Sequence, residues 1–156
     1  MCYTGYAYED AQGLSSECIF IGIDEGKWIT KDRQKTDESE CVPLLPVPLT
    51  IIEHYKDHPH CVAKGKLLPV RSNQRFNGYL KEIAAICRIA KELTTHSARH
   101  TFVTTVTMEN GVPMETVGKM LGHRSIRTTQ RYARVTRRKI SEEMSALRAK
   151  LATGAA

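Results

Sequence analysis

The hydrophobic period of this chain changes once, and that change limits what it can fold into. Through Leu44, apolar residues come in short runs separated by turn formers: Cys18-Ile19-Phe20-Ile21-Gly22-Ile23, then the turn Asp24-Glu25-Gly26, then Lys27-Trp28-Ile29-Thr30. Such runs read as strands. A polar loop, residues 31–38, separates them from Cys41-Val42-Pro43-Leu44. That last run suits an edge strand, because Pro43 has no N–H for a ladder. From Pro48 onward the spacing becomes helical. Leu49, Ile52 and Tyr55 recur every three residues, and within 73–91 Phe76, Leu80, Ile83 and Cys87 share one face. A helix is expected from the segment beginning at Thr95 to about Glu109, ended by Asn110-Gly111. A shorter one should follow Pro113 and stop at Gly122, and a long final helix capped by Ser125 should run from Ile126 to about Arg148. The predicted class is α+β: a mostly helical unit with a small three-stranded antiparallel sheet near its N-terminus. No repeat or linker interrupts residues 1–156, so one domain is expected.

Composition narrows the partners. The chain is 41% hydrophobic and 26% charged, ordinary for a folded domain. No apolar run has the length of a membrane span, and the first residues have no signal-peptide pattern, so a cytoplasmic, nucleoid-associated location is expected. Cys2, Cys18, Cys41, Cys61 and Cys87 are scattered without a CxxC pair, which reads as reduced thiols. His54, His58, His60 and Cys61 lie close together, but Pro59 is read as breaking the helix that would align them, so no metal site is expected. The net charge is +6, and it is concentrated. Arg124, Arg127, Arg131, Arg134, Arg137, Arg138 and Lys139 fall between residues 124 and 139 with no acidic residue among them. On one continuous helix Arg127, Arg131, Arg134 and Arg138 would line a single face. Unrelieved repulsion along that face favours a polyanion over a merely solvated surface, so Arg124, Arg127, Arg131, Arg134 and Arg138 are candidate DNA-binding residues.

Singly, the polar candidates are ambiguous. His96 and Arg99 share a helix face, which describes a solvated patch as well as a site. His123, just after Gly122, would be ordinary at a helix end. Tyr132 in a basic helix is open to being a half-buried packing residue, and Lys35 to being a solvated loop lysine. In order, however, Lys35, His96-x-x-Arg99, Leu121-Gly122-His123 and Tyr132 form a constellation. The phrases Thr95-His96-Ser97-Ala98-Arg99-His100-Thr101-Phe102 and Met120-Leu121-Gly122-His123-Arg124-Ser125-Ile126-Arg127-Thr128-Thr129-Gln130-Arg131-Tyr132-Ala133 closely resemble hallmarks of the tyrosine recombinase (phage integrase) family. The resemblance covers about residues 3–145.

The resemblance implies a catalytic domain that cuts DNA without metal, ATP or any other cofactor. Tyr132 would attack phosphorus and hold a 3′-phosphotyrosine, and the rejoining step would use another strand's hydroxyl. Arg99, His96 and His123 would serve the phosphoryl oxygens, with one histidine taking the phenolic proton, and Lys35 would protonate the leaving 5′ oxygen. It also implies a homotetramer assembled on double-stranded DNA through the C-terminal segment, where Ile140, Met144, Leu147 and Leu151 make an apolar stripe that would otherwise pack on the chain's own core. The family's separate N-terminal core-binding domain is absent from these residues. One position departs from the pattern. In Thr4-Gly5-Tyr6-Ala7-Tyr8-Glu9-Asp10, Ala7 stands where the first catalytic arginine is expected, and Arg33, Arg71 and Arg75 are candidate substitutes. Integrases of conjugative transposons are similar in this respect, which points to a mobile element. The competing expectation is a catalytically impaired DNA-binding remnant or regulator.

Overall fold

A computed structural model of the chain describes residues 1–32, 39–132 and 137–153. Helix α1 spans Tyr8–Gln12, and strands β1 (Ile19–Ile21), β2 (Lys27–Asp32) and β3 (Ser39–Pro43) follow. After them come α2 (Pro46–Tyr55), α3 (Pro59–Lys64), α4 (Asn73–Ile86), α5 (Thr95–Thr101), α6 (Met114–Met120), α7 (Ile126–Gln130) and α8 (Arg137–Thr153). The three strands form one antiparallel sheet in the order β1-β2-β3, so the class predicted from the change of period is the class observed.

The core joins the sheet to the later helices. Ile29 pairs with Val42 across β2 and β3, and both are buried with Leu14, Leu44 and Leu67 against Phe102, Val103, Val117 and Leu121. Tyr6 is fully buried among them. Its Oη lies 3.0 Å from the Ile29 carbonyl and 3.1 Å from the Glu40 carbonyl, so one phenolic proton is shared between two strands. Burial, with Glu40 close by, pushes that phenol far above the ordinary tyrosine range and keeps it neutral.

Several boundaries differ from the sequence expectations for local reasons. The helix is interrupted before Pro59 as expected, with His54 on α2 and His60 and Cys61 on α3, but Pro59 itself starts the second helix. It occupies the first turn of α3, where its missing N–H costs nothing, and His58 Nδ1 accepts from the His60 N–H at 3.2 Å. Helix α4 stops at Ile86 because Arg88 takes a left-handed conformation (φ 53°), and the Ile89 N–H returns to the Ala84 carbonyl. The helix begun at Thr95 continues to Asn110, but in three forms. A π-helical stretch, Phe102–Thr107, and a 3₁₀ turn, Met108–Asn110, follow α5. The β-branched run Val103-Thr104-Thr105-Val106-Thr107 explains the widening. Thr107 Oγ1 lies 3.0 Å from the Phe102 carbonyl and 2.7 Å from the Val103 carbonyl, competing with the regular ladder.

The long final helix is the largest correction. It is not continuous: α7 ends at Gln130, and the Tyr132 N–H bonds back to the Thr129 carbonyl at 2.9 Å in a tighter turn. Arg127 lies on α7 and Arg131 just past its end, so the expected single helix does not carry both. Lys35, Arg33 and Arg134, and the side chain of Arg138, lie outside the described residues. On α8 the apolar stripe does not pack on the chain's own core: Ile140, Met144, Leu147 and Leu151 are 51%, 46%, 45% and 66% exposed.

Gly5 positions the N-terminal segment against this core. It has φ +72°, and a Cβ there would come within 2.4 Å of Leu121 Cδ2 and 2.6 Å of Phe102 Cδ1. Gly5→Ala should destabilise the fold by about 2–4 kcal/mol through overpacking and left-handed strain, measured as a lower urea midpoint at unchanged m-value.

Candidate active site

The site is assembled from three elements that the core holds together. Helix α5 opens with a reciprocal cap: Thr94 Oγ1 accepts from the Ser97 N–H and Ser97 Oγ from the Thr94 N–H, each at 3.2 Å. That cap fixes the register in which His96, Arg99 and His100 lie one turn apart on the same side of the helix. Helix α6 ends with Gly122 in the left-handed conformation (φ 57°). The His123 N–H reaches the Gly118 carbonyl at 2.9 Å and the Gly122 N–H the Lys119 carbonyl at 3.0 Å, the paired bonds of a Schellman end. His123 is thereby aimed at α5. Helix α7 then delivers Tyr132.

Arg99 is the centre of the arrangement. It is 5% exposed, and its guanidinium is spent on internal partners. Nη1 donates to the Gly5 carbonyl at 2.8 Å and to Glu40 Oε1 at 2.9 Å. Nη2 donates to the Leu121 carbonyl at 3.3 Å and to His123 Nε2 at 3.2 Å. Glu40 is fully buried on β3, on the same side of the strand as Val42. A glutamate facing a core is tolerable only with such a counter-ion. Sequence reasoning missed Glu40. Its signal was there: Glu40, Val42 and Leu44 alternate inward, so one of three core-facing positions carries a charge.

Tyr132 lies half-buried within a ring of histidines. The His100 ring centroid is 4.4 Å from that of Tyr132, His96 is 5.6 Å away, and His123 stacks nearly parallel at 6.3 Å. His96 and His100 meet edge to face at 5.2 Å. Of the expected constellation, the structure thus brings together His96, Arg99, His123 and Tyr132, and it adds His100, which is closer to Tyr132 than either histidine singled out from the sequence. Tyr132 also packs against the core cluster, so it fills a packing role as well. Arg124, Arg127 and Arg131 are exposed on the stretch between His123 and Tyr132. Ala7 is the N-cap of α1. Arg71 and Arg75 are exposed, and Arg99's partners include neither; the Tyr8 hydroxyl donates to the Arg71 carbonyl at 2.6 Å. Among the described residues no cluster of three or more His, Cys, Asp or Glu side chains is arranged to hold a metal ion, and no helix is long and apolar enough to cross a membrane.

Two measurable consequences follow from this packing. Glu40→Ala strands a buried guanidinium and should cost about 3–5 kcal/mol in urea unfolding, whereas Glu40→Gln, which keeps an acceptor oxygen, should cost less. His100 is pushed below the ordinary histidine value of 6.5, first by burial and then by His96 and Lys91. Its imidazole is neutral in the fold, so its contribution to stability is complete above that value and is lost as pH falls from it toward the lower folded-state pKa. Urea titrations of the wild type should show this loss on acidification, and His100→Gln should flatten the curve over that window.

The sequence and the fold have relatives. A family model described as the phage integrase family matches residues 1–139. The tyrosine recombinase XerD of Halalkalibacterium halodurans is 32% identical over 150 residues, covering 89% of this chain and 48% of the relative. XerD of Listeria innocua is 31% identical over 123 residues, covering 69% of this chain and 40% of its own length. The chain therefore spans about half or less of the curated relatives it matches. Among solved structures, XerA recombinase superposes with a TM-score of 0.74 at 21% identity, over 94% of this chain and 55% of that one. The Tn1549 transposon integrase, in complex with a circular intermediate DNA, superposes with a TM-score of 0.64 at 18% identity, over 93% of this chain and 55% of that one. At these identities the structural matches establish a shared fold.

Proposed function

Because this chain belongs to the phage integrase family, we propose that its pocket cuts and rejoins double-stranded DNA, with Tyr132 as the nucleophile. The observation that carries the reading is the histidine ring around Tyr132 with a buried arginine behind it. Packing alone does not call for imidazoles around a half-buried tyrosine, whereas a tyrosine that must lose its proton during attack needs a base within reach.

In this reading the phenolic oxygen attacks phosphorus and the bond to the 5′ oxygen breaks. The phenolic proton passes to one of the histidines, His96 or His123, and the departing 5′ oxygen takes a proton from Lys35 in the segment joining β2 to β3. The resulting 3′-phosphotyrosine is itself a phosphodiester, so the bond energy is conserved and the reverse attack by a second strand's hydroxyl needs neither ATP nor a metal. Arg99 supplies fixed donors for the charge that builds on the non-bridging oxygens. A phosphoryl oxygen entering beside His123 would share the Nη2 edge that His123 now occupies. Arg124, Arg127 and Arg131 would neutralise flanking phosphates, with Arg134 and Arg138 as further contacts, each phosphate steepening the log–log salt dependence by ~0.9. The exposed stripe on α8 suits a neighbouring copy in a DNA-assembled tetramer, and an element-borne integrase is the setting that Ala7 suggests.

One observation favours a second reading, a DNA-binding domain with impaired chemistry. Ala7 takes an arginine out of the expected set, and Glu40 places a carboxylate on the remaining one. The two readings part on a nicked suicide substrate carrying the recombination site, cleaved by the protein with whatever further domain it has. The enzyme reading predicts a covalent protein–DNA adduct that Tyr132→Phe abolishes while DNA binding persists. No adduct from the wild-type protein would sink it in favour of the binding domain.

A further inference from the structure

We infer that His100 is a positioning residue: its ring, packed against both His96 and Tyr132, sets the orientation from which the Tyr132 phenol reaches a phosphate. The inference rests on the proposed nucleophilic role of Tyr132 for its consequence in catalysis; the packing itself does not.

Tyr132 has little else to hold its side chain. It lies past the end of α7, where its N–H returns to the Thr129 carbonyl at 2.9 Å. Among the described residues no hydrogen bond reaches its phenolic oxygen, so the core and the neighbouring rings orient it. His123 is the most distant of those rings, with its centroid 6.3 Å away. Its own place is set by other partners, Arg99 Nη2 at 3.2 Å from Nε2 and Thr129 Oγ1 at 2.8 Å from Nδ1. The remaining three rings form a closed triangle. Its sides are 5.6 Å between His96 and Tyr132, 5.2 Å between His96 and His100, and 4.4 Å between His100 and Tyr132. The last is the closest contact around Tyr132, at the tight limit of the about 4.5–7 Å over which aromatic rings pair. At that distance the phenol cannot swing toward α5 without meeting the imidazole.

His100 is built to be a fixed wall. It follows Arg99, whose buried guanidinium ties α5 to Gly5, Glu40, Leu121 and His123. Thr104 Oγ1 donates to the His100 carbonyl at 2.8 Å. The ring meets His96 edge to face at 88°, so one imidazole sets both the nucleophile and a candidate acceptor for its proton. Burial, with His96 and Lys91 close by, pushes His100 below the ordinary histidine value, which weakens it as a base and leaves it a neutral ring. Such a ring offers packing rather than proton transfer.

The test uses the 156-residue chain with three substitutions. His100→Ala removes the ring, His100→Gln fills part of the space without one, and His100→Phe keeps a ring but has no nitrogen. Aromatic NOE spectra of the wild type, with Tyr132 assigned against Tyr132→Phe, should show cross-peaks between the His100 and Tyr132 rings. His100→Ala and His100→Gln should move the Tyr132 ring resonances, and His100→Phe should restore ring-to-ring cross-peaks. In single-turnover cleavage of the nicked substrate at saturating DNA, the ringless variants should be about 10- to 100-fold slower, the scale set by a misplacement of about 1 Å near a reacting atom. DNA affinity should be unchanged, and His100→Phe should recover most of the loss. Absence of the wild-type cross-peaks overturns the inference whether or not any variant folds. So does a folded ringless variant that cleaves at the wild-type rate, or one that loses affinity at an unchanged rate. A folded His100→Phe protein as slow as His100→Gln also overturns it, because the role would then belong to an imidazole nitrogen. A wild-type protein that forms no adduct fails the recombinase reading, while the cross-peaks still decide whether His100 orients Tyr132.

Discussion

The buried guanidinium of Arg99 is the constraint around which this domain is organised. A charge this deep is stable only if every donor finds an acceptor, and the four partners come from four separate parts of the chain. Gly5 contributes a carbonyl from the N-terminal segment, Glu40 a carboxylate from the sheet, Leu121 a carbonyl from the end of α6, and His123 a ring nitrogen from the turn beyond. Each of these has a local reason for being in place. Gly5 approaches because it lacks a Cβ, Leu121 and His123 because α6 ends in a Schellman turn, and Glu40 because β3 alternates. One side chain thus welds the sheet to the helices and at the same time orders the catalytic candidates.

The same network fixes the site's donors in place. Fixed dipoles and donors stabilise charge without reorganising at the moment of reaction. Here the donors already hold protein acceptors, one of them a carboxylate, so in the recombinase reading a phosphate would have to compete for them. In that reading Ala7, where the family's first arginine is expected, brings no further cationic side chain to the phosphate. In the recombinase reading, chemistry depends on sharing the Nη2 edge with His123 while Glu40 and the Gly5 carbonyl keep Nη1 in line.

Much of this was legible in the sequence, and the failures have physical causes. The small sheet, the helical remainder and the ordered set His96, Arg99, His123 and Tyr132 follow from period, turn chemistry and spacing. Helix ends were harder. Pro59 signals the interruption between α2 and α3 but also starts α3, and the left-handed Arg88 gives no advance notice because it is not a glycine. The run from Ile126 past Tyr132 has helical spacing throughout, yet α7 ends at Gln130, since burying Thr129 and turning Tyr132 toward α5 outweigh local propensity. Glu40 was visible as an inward-facing charge on a strand, but its partner lies on α5, 59 residues away.

The sequence by itself determined which chemistry-bearing residues exist, their order, and the elements that carry them, because hydrophobic period and capping are local properties. It also determined that the side chain of residue 7 offers a phosphate no charge and no donor. Only the tertiary structure decided that Arg99 is buried and paired with Glu40, that His100 is the imidazole nearest Tyr132, and that Thr129 reaches His123. Those facts depend on which surfaces exclude water together. A one-dimensional pattern records what each residue offers; its partners are chosen when the core closes and every buried donor has to be matched.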